Sequence, residues 1–338
     1  MKKFYSLSLL LVAGLSFGQT FDSFTGTGTL STNGWTTHSG TADQLVILET
    51  TSDNGNSLSY TGFPASSGNR IAIASGQNED VNKPLAEAAT SVVYYSALVK
   101  VQNTEGLHDN AAVSGDYFLS VTETVGSSGV SGLYGRVYIK KGAGDNTVNF
   151  GILNSGGGSA TPTYINVEYL VNTTYLIVVK HTLENNTASM WVNPALGQAE
   201  FAADVTNNTG TQSAAETIMG FAIRQGGTTT TGTGNIEIDE IRVSTAWEDV
   251  TPAATNSLNQ NNIAGLKVYP NPLTGNVLNI TSDNNADKTV AVYDVLGKQV
   301  LTAQVINGTV NVSALTSGVY IVKVTEEGKT ATKKLVVK

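Results

Sequence analysis

Short apolar segments separated by turn-forming residues constrain the fold of this chain more than any other feature. Each segment is bounded by Gly, Ser, Asn or Asp, and regular helical periodicity is scarce, which favours β-strands over helices. The strand candidates before the C-terminal region are residues 45–48, 70–74, 92–101, 117–121, 135–140, 148–153, 175–181, 188–192, 217–223 and 236–243. About ten to fourteen strands over roughly 230 residues predict two packed sheets, as in a sandwich or jelly roll. Residues 92–101 are apolar at nearly every position, so we expect them in the centre of a sheet.

The composition is typical of an extracellular all-β protein. Charged residues make up 14% of the chain, and it contains no cysteine. Without cysteine there is no disulfide framework, no thiol nucleophile and no thiolate metal site. Stability must therefore come from hydrophobic cores, and a chain of this length can bury two of them.

The N-terminus has the features of a secretory signal peptide at residues 1–18. Lys2 and Lys3 precede an apolar run that is too short to span a bilayer, and small residues end the segment at Gly18. No second hydrophobic stretch follows, so no transmembrane span is predicted. The rest of the chain predicts a large domain at 20–249, a polar flexible linker at 250–264 and a small domain at 265–338.

The small domain has the pattern of a second, immunoglobulin-like sandwich of about seven strands. Pro270 and Pro272 limit the pairing of its entry strand, because proline has no backbone N–H to donate. Leu296-Gly297-Lys298 predicts a hairpin turn. We expect Gly318 to resist substitution: if it adopts a positive φ in the turn before Val319-Tyr320, a β-branched residue there would strain the backbone.

The same segment resembles a known export signal. Tyr269-Pro270-Asn271-Pro272, Val292–Lys298, Leu315–Val324 and the basic end Lys333–Lys338 follow one another in the order found in type A C-terminal sorting domains of the type IX secretion system of Bacteroidota. The resemblance covers residues from about 266 to 338. Its motif residues here are Pro270, Asn271, Pro272, Gly297, Gly318, Tyr320, Lys333, Lys334 and Lys338.

The resemblance implies a location and partners. A protein of this kind crosses the periplasm and is recognised by the outer-membrane secretion machinery, which cleaves the sorting domain. The body is then released or attached to surface lipopolysaccharide. We therefore expect a protein that is secreted or lies on the outer cell surface.

The large domain carries a second resemblance. Its blocks resemble a laminin-G/concanavalin-like jelly-roll module of secreted Bacteroidota proteins, over most of residues 20–249. The residues that carry it are 34–35, 78–83, 115–119, 135–141, 173–180, 188–194 and 238–244. Such modules include lectins, adhesion modules and glycosidases, so function must be argued from a site.

Charge excludes one class of partner. Residues 265–338 carry eight lysines against five acidic residues, whereas residues 1–264 carry 11 basic and 22 acidic residues. Nucleic-acid binding needs clustered Lys and Arg, so we expect no nucleic-acid partner for this acidic body. The charge is compatible with cation binding or with neutral glycans.

The acidic segment Glu237–Glu240 is the best candidate for a catalytic pair. Family 16 glycoside hydrolases carry Glu-x-Asp-x-x-Glu on one strand, so that alternation places the carboxylates on one face. Here Arg242 occupies the last position of that motif, and Glu240 directly follows Asp239. No catalytic residue is therefore predicted.

The same strand candidate changes phase. Ile236 and Ile238 are apolar at even positions, whereas Ile241 and Val243 are apolar at odd positions. One extra residue at Asp239-Glu240, a β-bulge, would keep all four aliphatic side chains inside.

A calcium site is the one cofactor hypothesis. The first and last strands of such a jelly roll often lie side by side, and Asp22 and Asp239 would then supply oxygen ligands for Ca²⁺. The alternative is that these acids cap turns or pair with Arg242. No other cofactor is predicted.

Trp35 is the candidate for contact with a glycan. It follows Asn33-Gly34 in a predicted turn, where an exposed indole could stack on a sugar ring. Trp191 lies in an apolar strand and is expected in the core.

We therefore expect a non-enzymatic jelly-roll body that binds extracellular glycans or mediates adhesion. Two alternatives stay open: a glycoside hydrolase or polysaccharide lyase with an unrecognised site, and a purely structural surface protein. Clustered carboxylates in a deep groove would favour the enzyme, and exposed aromatic side chains on a sheet would favour binding.

Deletion of residues 266–338 should prevent export, because the secretion machinery then has no sorting domain to recognise. We expect the truncated protein to stay in the periplasm, measured by cell fractionation, and a reporter fused to residues 266–338 to leave the cell. A truncated body at the cell surface would contradict the assignment.

Overall fold

The computed structural model describes residues 20–48, 56–66, 68–254, 263, 265–284, 286–326 and 329–338. The chain divides into two compact units, Met1–Ala254 and Thr255–Lys338, and each is described by itself below. The signal peptide predicted at 1–18 and most of the linker predicted at 250–264 lie outside the described residues.

The described residues are almost entirely β-structure, as the sequence pattern predicts. Two short helical segments, the 3-10 helix Leu30–Asn33 and α1 Trp247–Val250, lie in the large unit. Its strands are β1 Thr20–Asp22, β2 Gly28–Thr29, β3 Thr36–Ser39, β4 Val46–Leu48, β5 Arg70–Ile73, β6 Asp80–Ala89, β7 Val92–Val101, β8 Asp116–Thr122, β9 Leu133–Lys141, β10 Thr147–Leu153, β11 Thr163–Tyr164, β12 Tyr169–Leu170, β13 Thr174–Thr182, β14 Thr187–Val192, β15 Val205–Asn207, β16 Ile218–Arg224 and β17 Ile236–Ser244.

These strands form two antiparallel sheets. Sheet A has the order β15-β14-β13-β7-β17-β5-β4-β2, with β1 also paired to β17, and sheet B has the order β11-β10-β9-β8-β16-β6-β3, with β12 also paired to β10. The expected central position of Val92–Val101 is confirmed, since β7 lies between β13 and β17. Aliphatic and aromatic side chains from both sheets form the main core between them.

Strand β17 contains the predicted bulge. Its register against β7 shifts between Asp239 and Arg242, and Glu240 has φ +49°, a conformation that few non-glycine residues adopt. Ile236, Ile238, Ile241 and Val243 all belong to the main core. The extra residue therefore restores the inward phase that the sequence appeared to lose.

A smaller hydrophobic cluster covers the outer face of sheet A. Leu58 and Phe63 from the segment 56–66, and Trp247 and Val250 from α1, pack on outward side chains of the sheet. Those side chains are Tyr94, Leu98, Leu176, Val178 and Trp191. Trp191 is 1% exposed, so its expected core position is confirmed.

The small unit is a sandwich of two further sheets with its own core. Its strands are β18 Lys267–Tyr269, β19 Val277–Thr281, β20 Lys288–Tyr293, β21 Gln299–Gln304, β22 Thr309–Asn311, β23 Gly318–Glu326 and β24 Lys329–Val337. Sheet C has the order β18-β19-β22, and sheet D has the order β21-β20-β23-β24. The all-β prediction holds for this unit as well.

Residues of the C-terminal motifs have structural roles in the small unit. The Asn271 side chain donates to the Lys334 carbonyl (2.7 Å) and accepts from the Val336 N–H (3.0 Å), so it pairs with the backbone of β24. Tyr320 is buried and donates its hydroxyl to the Thr316 carbonyl at 2.8 Å. Gly297 has φ +81° in its hairpin turn.

Gly318 corrects one expectation. It begins β23, and it is absent from the glycines with positive φ. The turn before Val319 therefore does not require a left-handed backbone at this position.

No helix among the described residues is long and apolar enough to cross a membrane.

Replacing Glu240 by valine should destabilise the large unit more than replacing it by glycine. Both changes remove the carboxylate that pairs with Arg242, but only valine is strained at positive φ. We expect the valine variant to be less stable by about 1–2 kcal/mol in chemical unfolding. Equal stabilities would show that the bulge does not hold this conformation.

Candidate functional site

The outer face of sheet B carries a cluster of polar and aromatic side chains. Phe118, Val137 and Ile139 point into the main core, so strand alternation places Tyr117, Arg136, Tyr138 and Lys140 on the opposite face. We call this surface the tyrosine–arginine face. Its members are Asp80, Asp116, Tyr117, Arg136, Tyr138, Lys140, Tyr164 and Arg224.

Backbone register brings these residues together. Tyr117 on β8 is the cross-strand partner of Tyr138 on β9, and their ring centroids are 5.6 Å apart. Asp80 on β6 is the partner of Arg224 on β16. Within the described residues of the large unit, neither hydrophobic cluster covers this face.

Two guanidinium groups lie against the ring of Tyr117. Arg224 is 4.6 Å and Arg136 is 5.2 Å from its centroid, distances at which a cation is attracted to an aromatic ring. Arg224 also forms an ion pair with Asp116. Arg136 donates its Nε to the Leu133 carbonyl at 2.9 Å.

A glycine makes room for a third tyrosine. Tyr164 on β11 is the partner of Gly151 on β10, and a Cβ atom on Gly151 would lie 2.8 Å from the Tyr164 ring. The ring therefore lies directly against the sheet. Lys140 Nζ is 4.6 Å from its centroid.

Two loops border the face at opposite ends of β8. The loop before β8 accepts from Lys140 through the carbonyls of Asn110 (2.8 Å) and Ala112 (2.9 Å). In the loop after β8, Gly126 exchanges two hydrogen bonds with the buried Asn82 side chain, at 2.8 and 2.9 Å. These hydrogen bonds hold the backbone of both loops, so the tyrosine–arginine face lies between two fixed backbone segments.

Burial changes the ionisation of this surface. It raises the pKa of Asp80 to about 6, against the opposing charge of Arg224, and Asp80 Oδ1 is buried without a hydrogen-bond partner. Burial also raises the pKa of Tyr117 and of Tyr138. Both phenols therefore stay protonated at neutral pH and can donate hydrogen bonds.

A cavity of about 630 Å³ on the outer side of sheet A is a second candidate site, lined by Tyr94, Trp247 and Glu200 among others. Its polar groups already bond to one another. Tyr94 donates to Glu200 at 2.6 Å, Lys180 pairs with Glu200 at 2.8 Å, and the Trp247 indole donates to the Gln198 carbonyl at 2.9 Å. It therefore offers fewer free groups to a ligand than the tyrosine–arginine face.

Trp35 does not form the predicted glycan contact. It is 3% exposed, its ring stacks on Phe24 and meets Phe221 edge-on, and its indole N–H donates to Asp22 at 2.8 Å. The prediction was wrong because the side chain turns inward from its turn and completes the main core.

The predicted first-to-last strand pairing exists, but it does not bring Asp22 and Asp239 together. Asp22 on β1 is the partner of Ile241, which points into the main core. Asp239 is the partner of Leu98, which belongs to the cluster on the outer face of sheet A. The two carboxylates therefore lie on opposite faces of one sheet.

The contacts of the two acids differ accordingly. Asp22 pairs with Lys83 at 2.7 Å, whereas Asp239 is buried and accepts from the Leu58 N–H at 2.8 Å. Burial raises the pKa of Asp239 to about 8. The prediction that Asp22 and Asp239 bind one calcium ion together is therefore wrong. Within the described ranges, no group of three or more His, Asp or Glu side chains could hold a metal. Calcium binding itself stays a prediction without assigned ligands.

The other acids of β17 are held by cations. Glu237 forms ion pairs with Arg70 (3.0 Å) and Lys100 (2.9 Å), and Glu240 pairs with Arg242 at 3.0 Å. Each of these three pairs includes a buried carboxylate. The absence of a catalytic pair stays a prediction that these contacts support.

Sequence analysis missed the tyrosine–arginine face. The available signal was alternation in Arg136-Val137-Tyr138-Ile139-Lys140, in which polar or aromatic residues alternate with aliphatic ones. Tyr164 and Asp80 could not be added from the sequence, because only the fold places β11 and β6 in the same sheet as β9.

Replacing Asp80 by asparagine should flatten the pH dependence of stability between about pH 4 and 6. The pKa of Asp80 is raised by folding from 3.8 to about 6. The folded state therefore binds a proton that the unfolded state has released, and stability falls as pH rises through this window. We expect the difference in unfolding free energy between the parent and Asp80→Asn to change there and to be constant above it. A difference independent of pH would contradict the assignment.

Comparisons with solved structures give weak similarities for the body. A sialidase shares 11% identity with a TM-score of 0.38, and the alignment covers 70% of this chain but only 19% of the sialidase. A legume lectin-like domain from Entamoeba histolytica shares 10% identity over 64% of this chain and 91% of that domain, with a TM-score of 0.32. An alginate lyase from Pseudomonas aeruginosa shares 10% identity over 50% and 75%, with a TM-score of 0.32. Similarities of this strength carry no argument about function.

Comparison with curated proteins finds no match. A protein-family model described as a secretion system C-terminal sorting domain matches residues 267–338, the segment whose motifs resemble that domain. Residues 267–338 are therefore a sorting domain, which marks proteins for export to the cell surface or the extracellular space.

Proposed function

We propose that the large unit is a glycan-binding module and that its ligand lies on the tyrosine–arginine face. The sorting domain directs the chain to the cell exterior, where polysaccharides are the abundant polymers a surface protein meets. In this proposal the small unit determines where the protein is located, and the large unit binds the glycan.

One observation carries the proposal: on an outward sheet face, a tyrosine hydroxyl without a hydrogen-bond partner lies beside a guanidinium group that donates to the Leu133 carbonyl but has no carboxylate partner. Within the described residues the Tyr117 hydroxyl has no hydrogen-bond partner, and the neighbouring Arg136 has no carboxylate partner. Sugar hydroxyls both donate and accept, so they can satisfy phenol and guanidinium groups together. The exposed surface of Tyr117 and Arg136 is partial, which holds the donors in fixed positions.

Rigidity favours binding on this surface. The side chains project from paired strands rather than from free loops, and the rings of Tyr117, Tyr138 and Tyr164 contact one another or a cation. Less side-chain entropy is lost when a ligand binds to groups that are already ordered.

We propose no catalytic activity for the body. Glu237 and Glu240 are neutralised by ion pairs, and Asp239 is enclosed beneath the segment 56–66, where Leu58 and Ser66 bond to it. A glycosidase needs two carboxyl groups facing one open cleft. Release of reducing ends from a bound polysaccharide would contradict this part of the proposal.

Removing the Tyr117 and Tyr138 hydroxyls should weaken glycan binding. A glycan array with the protein lacking its predicted signal peptide, residues 19–338, would identify a ligand, and the double variant Tyr117→Phe/Tyr138→Phe would then be titrated with it. Each lost hydrogen bond costs about 0.5–1.5 kcal/mol, so we expect affinity to fall about tenfold.

Tyr94→Phe is the matched control for this titration. It removes a hydroxyl from the opposite outer face, where Tyr94 is bonded to Glu200, and should leave affinity within about twofold. Full binding by the double variant, or an equal loss in the control, would locate the ligand elsewhere. Binding to no glycan would reject the proposed function.

A further inference from the structure

The cations of the large unit are almost all neutralised by acids. After the predicted signal peptide, its basic side chains are Arg70, Lys83, Lys100, Arg136, Lys140, Lys141, Lys180, Arg224 and Arg242. Those in ion pairs are Arg70, Lys83, Lys100, Lys141, Lys180, Arg224 and Arg242. In the described large unit, only Arg136 and Lys140 remain without an ion pair.

These two cations occupy one strand and one face. Arg136 and Lys140 are four residues apart on β9, so their side chains emerge on the same side of sheet B. Their Cα atoms are about 13 Å apart at the usual rise of a strand. Tyr138 lies between them on the same face.

Arg136 and Lys140 lack an ion pair although the large unit is rich in acidic residues. Residues 1–264 hold 22 acidic against 11 basic residues, so acidic side chains are in excess. Lys140 is nevertheless coordinated only by the carbonyls of Asn110 and Ala112 and by the Tyr164 ring. Burial lowers its pKa, as expected for an ammonium group without a counter-charge.

We propose that the ligand of this face is an acidic polysaccharide, whose carboxylate or sulfate groups pair with Arg136 and Lys140. The inference rests on the proposed function and names its ligand class. A guanidinium group matches a carboxylate or a sulfate with two parallel hydrogen bonds, and an ammonium group accepts either as a point charge. The Tyr117 and Tyr138 hydroxyls bond to the sugar between the charges.

The separation of the cations favours a polymer over a free anion. Arg136 Nε donates to the Leu133 carbonyl, and Lys140 Nζ donates to the carbonyls of Asn110 and Ala112. The two cations are thus held at separate points, which suits a linear chain with repeated charges better than a single carboxylate or sulfate. Nucleic acid, the other common polyanion, needs clustered cations to neutralise its phosphates, and the described large unit has only two cations outside ion pairs.

The test compares acidic and neutral polysaccharides on the protein lacking its predicted signal peptide, residues 19–338. Polygalacturonate supplies carboxylates, dextran sulfate supplies sulfates, and carboxyl-reduced polygalacturonate and dextran are their neutral counterparts. We expect binding to at least one acidic polymer, at least about tenfold tighter than to its neutral counterpart. The arm that binds identifies the anionic group.

The variant Arg136→Gln/Lys140→Gln removes both free cations and should weaken binding of the acidic polymer at least about tenfold. Its matched control is Lys141→Gln/Lys180→Gln, which makes the same change in net charge at cations already paired with Asp109 and Glu200. The control should change affinity by less than about threefold. Lys140→Gln alone serves if the double variant melts earlier than the parent.

The outcomes separate the two proposals. Tight binding of a neutral glycan that is lost in Tyr117→Phe/Tyr138→Phe but kept in Arg136→Gln/Lys140→Gln would overturn the acidic ligand and leave the glycan module standing. Equal losses of affinity in Arg136→Gln/Lys140→Gln and in its control Lys141→Gln/Lys180→Gln would show non-specific electrostatic attraction. That result would also overturn the proposal of an acidic ligand on this face. Failure to bind any acidic or neutral glycan would reject both.

Discussion

The bulge at Asp239-Glu240 is the constraint on which the large unit depends. Strand β17 pairs with β7 along its length, with β5 at its start and with β1 near its end. A regular strand would turn either Ile236 and Ile238 or Ile241 and Val243 out of the core, because side chains alternate. The bulge accommodates one extra residue at positive φ and lets all four side chains pack inside. β17 can therefore pair with β7, β5 and β1 and still contribute these side chains to the main core.

The bulge also explains why the acids of β17 are structural. Asp239 lies beneath the segment 56–66 and accepts from the Leu58 N–H and the Ser66 hydroxyl, whereas the buried Glu240 pairs with Arg242. The outer face of sheet A is thereby closed with an apolar cluster. Among the described residues of the large unit, no such cluster covers the outer face of sheet B, which is the face that we propose for recognition.

Sequence reasoning worked where the period-two pattern decides the outcome. It predicted the bulge from the phase of the aliphatic residues, and the central position of β7 from a nearly continuous apolar run. It did not propose β6 (Asp80–Ala89), because that segment is polar and contains Pro84, which removes a backbone donor. It wrongly placed Trp35 on the surface, because the direction of that side chain depends on the conformation of the turn before it. It wrongly joined Asp22 to Asp239, because the face on which Asp22 lies depends on the register of β1. No local sequence pattern determines either feature. The tyrosine–arginine face assembles residues from five strands, so its members become neighbours only in the fold.

The most direct test of the account is to map the bound ligand by NMR on protein with isotope-labelled tyrosine side chains. The account predicts that the signals of Tyr117 and Tyr138, on the outer face of sheet B, shift as glycan is added, and that those of Tyr94, on the opposite outer face, do not. Shifts confined to Tyr94, beside the cavity lined by Trp247 and Glu200, would place the ligand on sheet A and contradict the account.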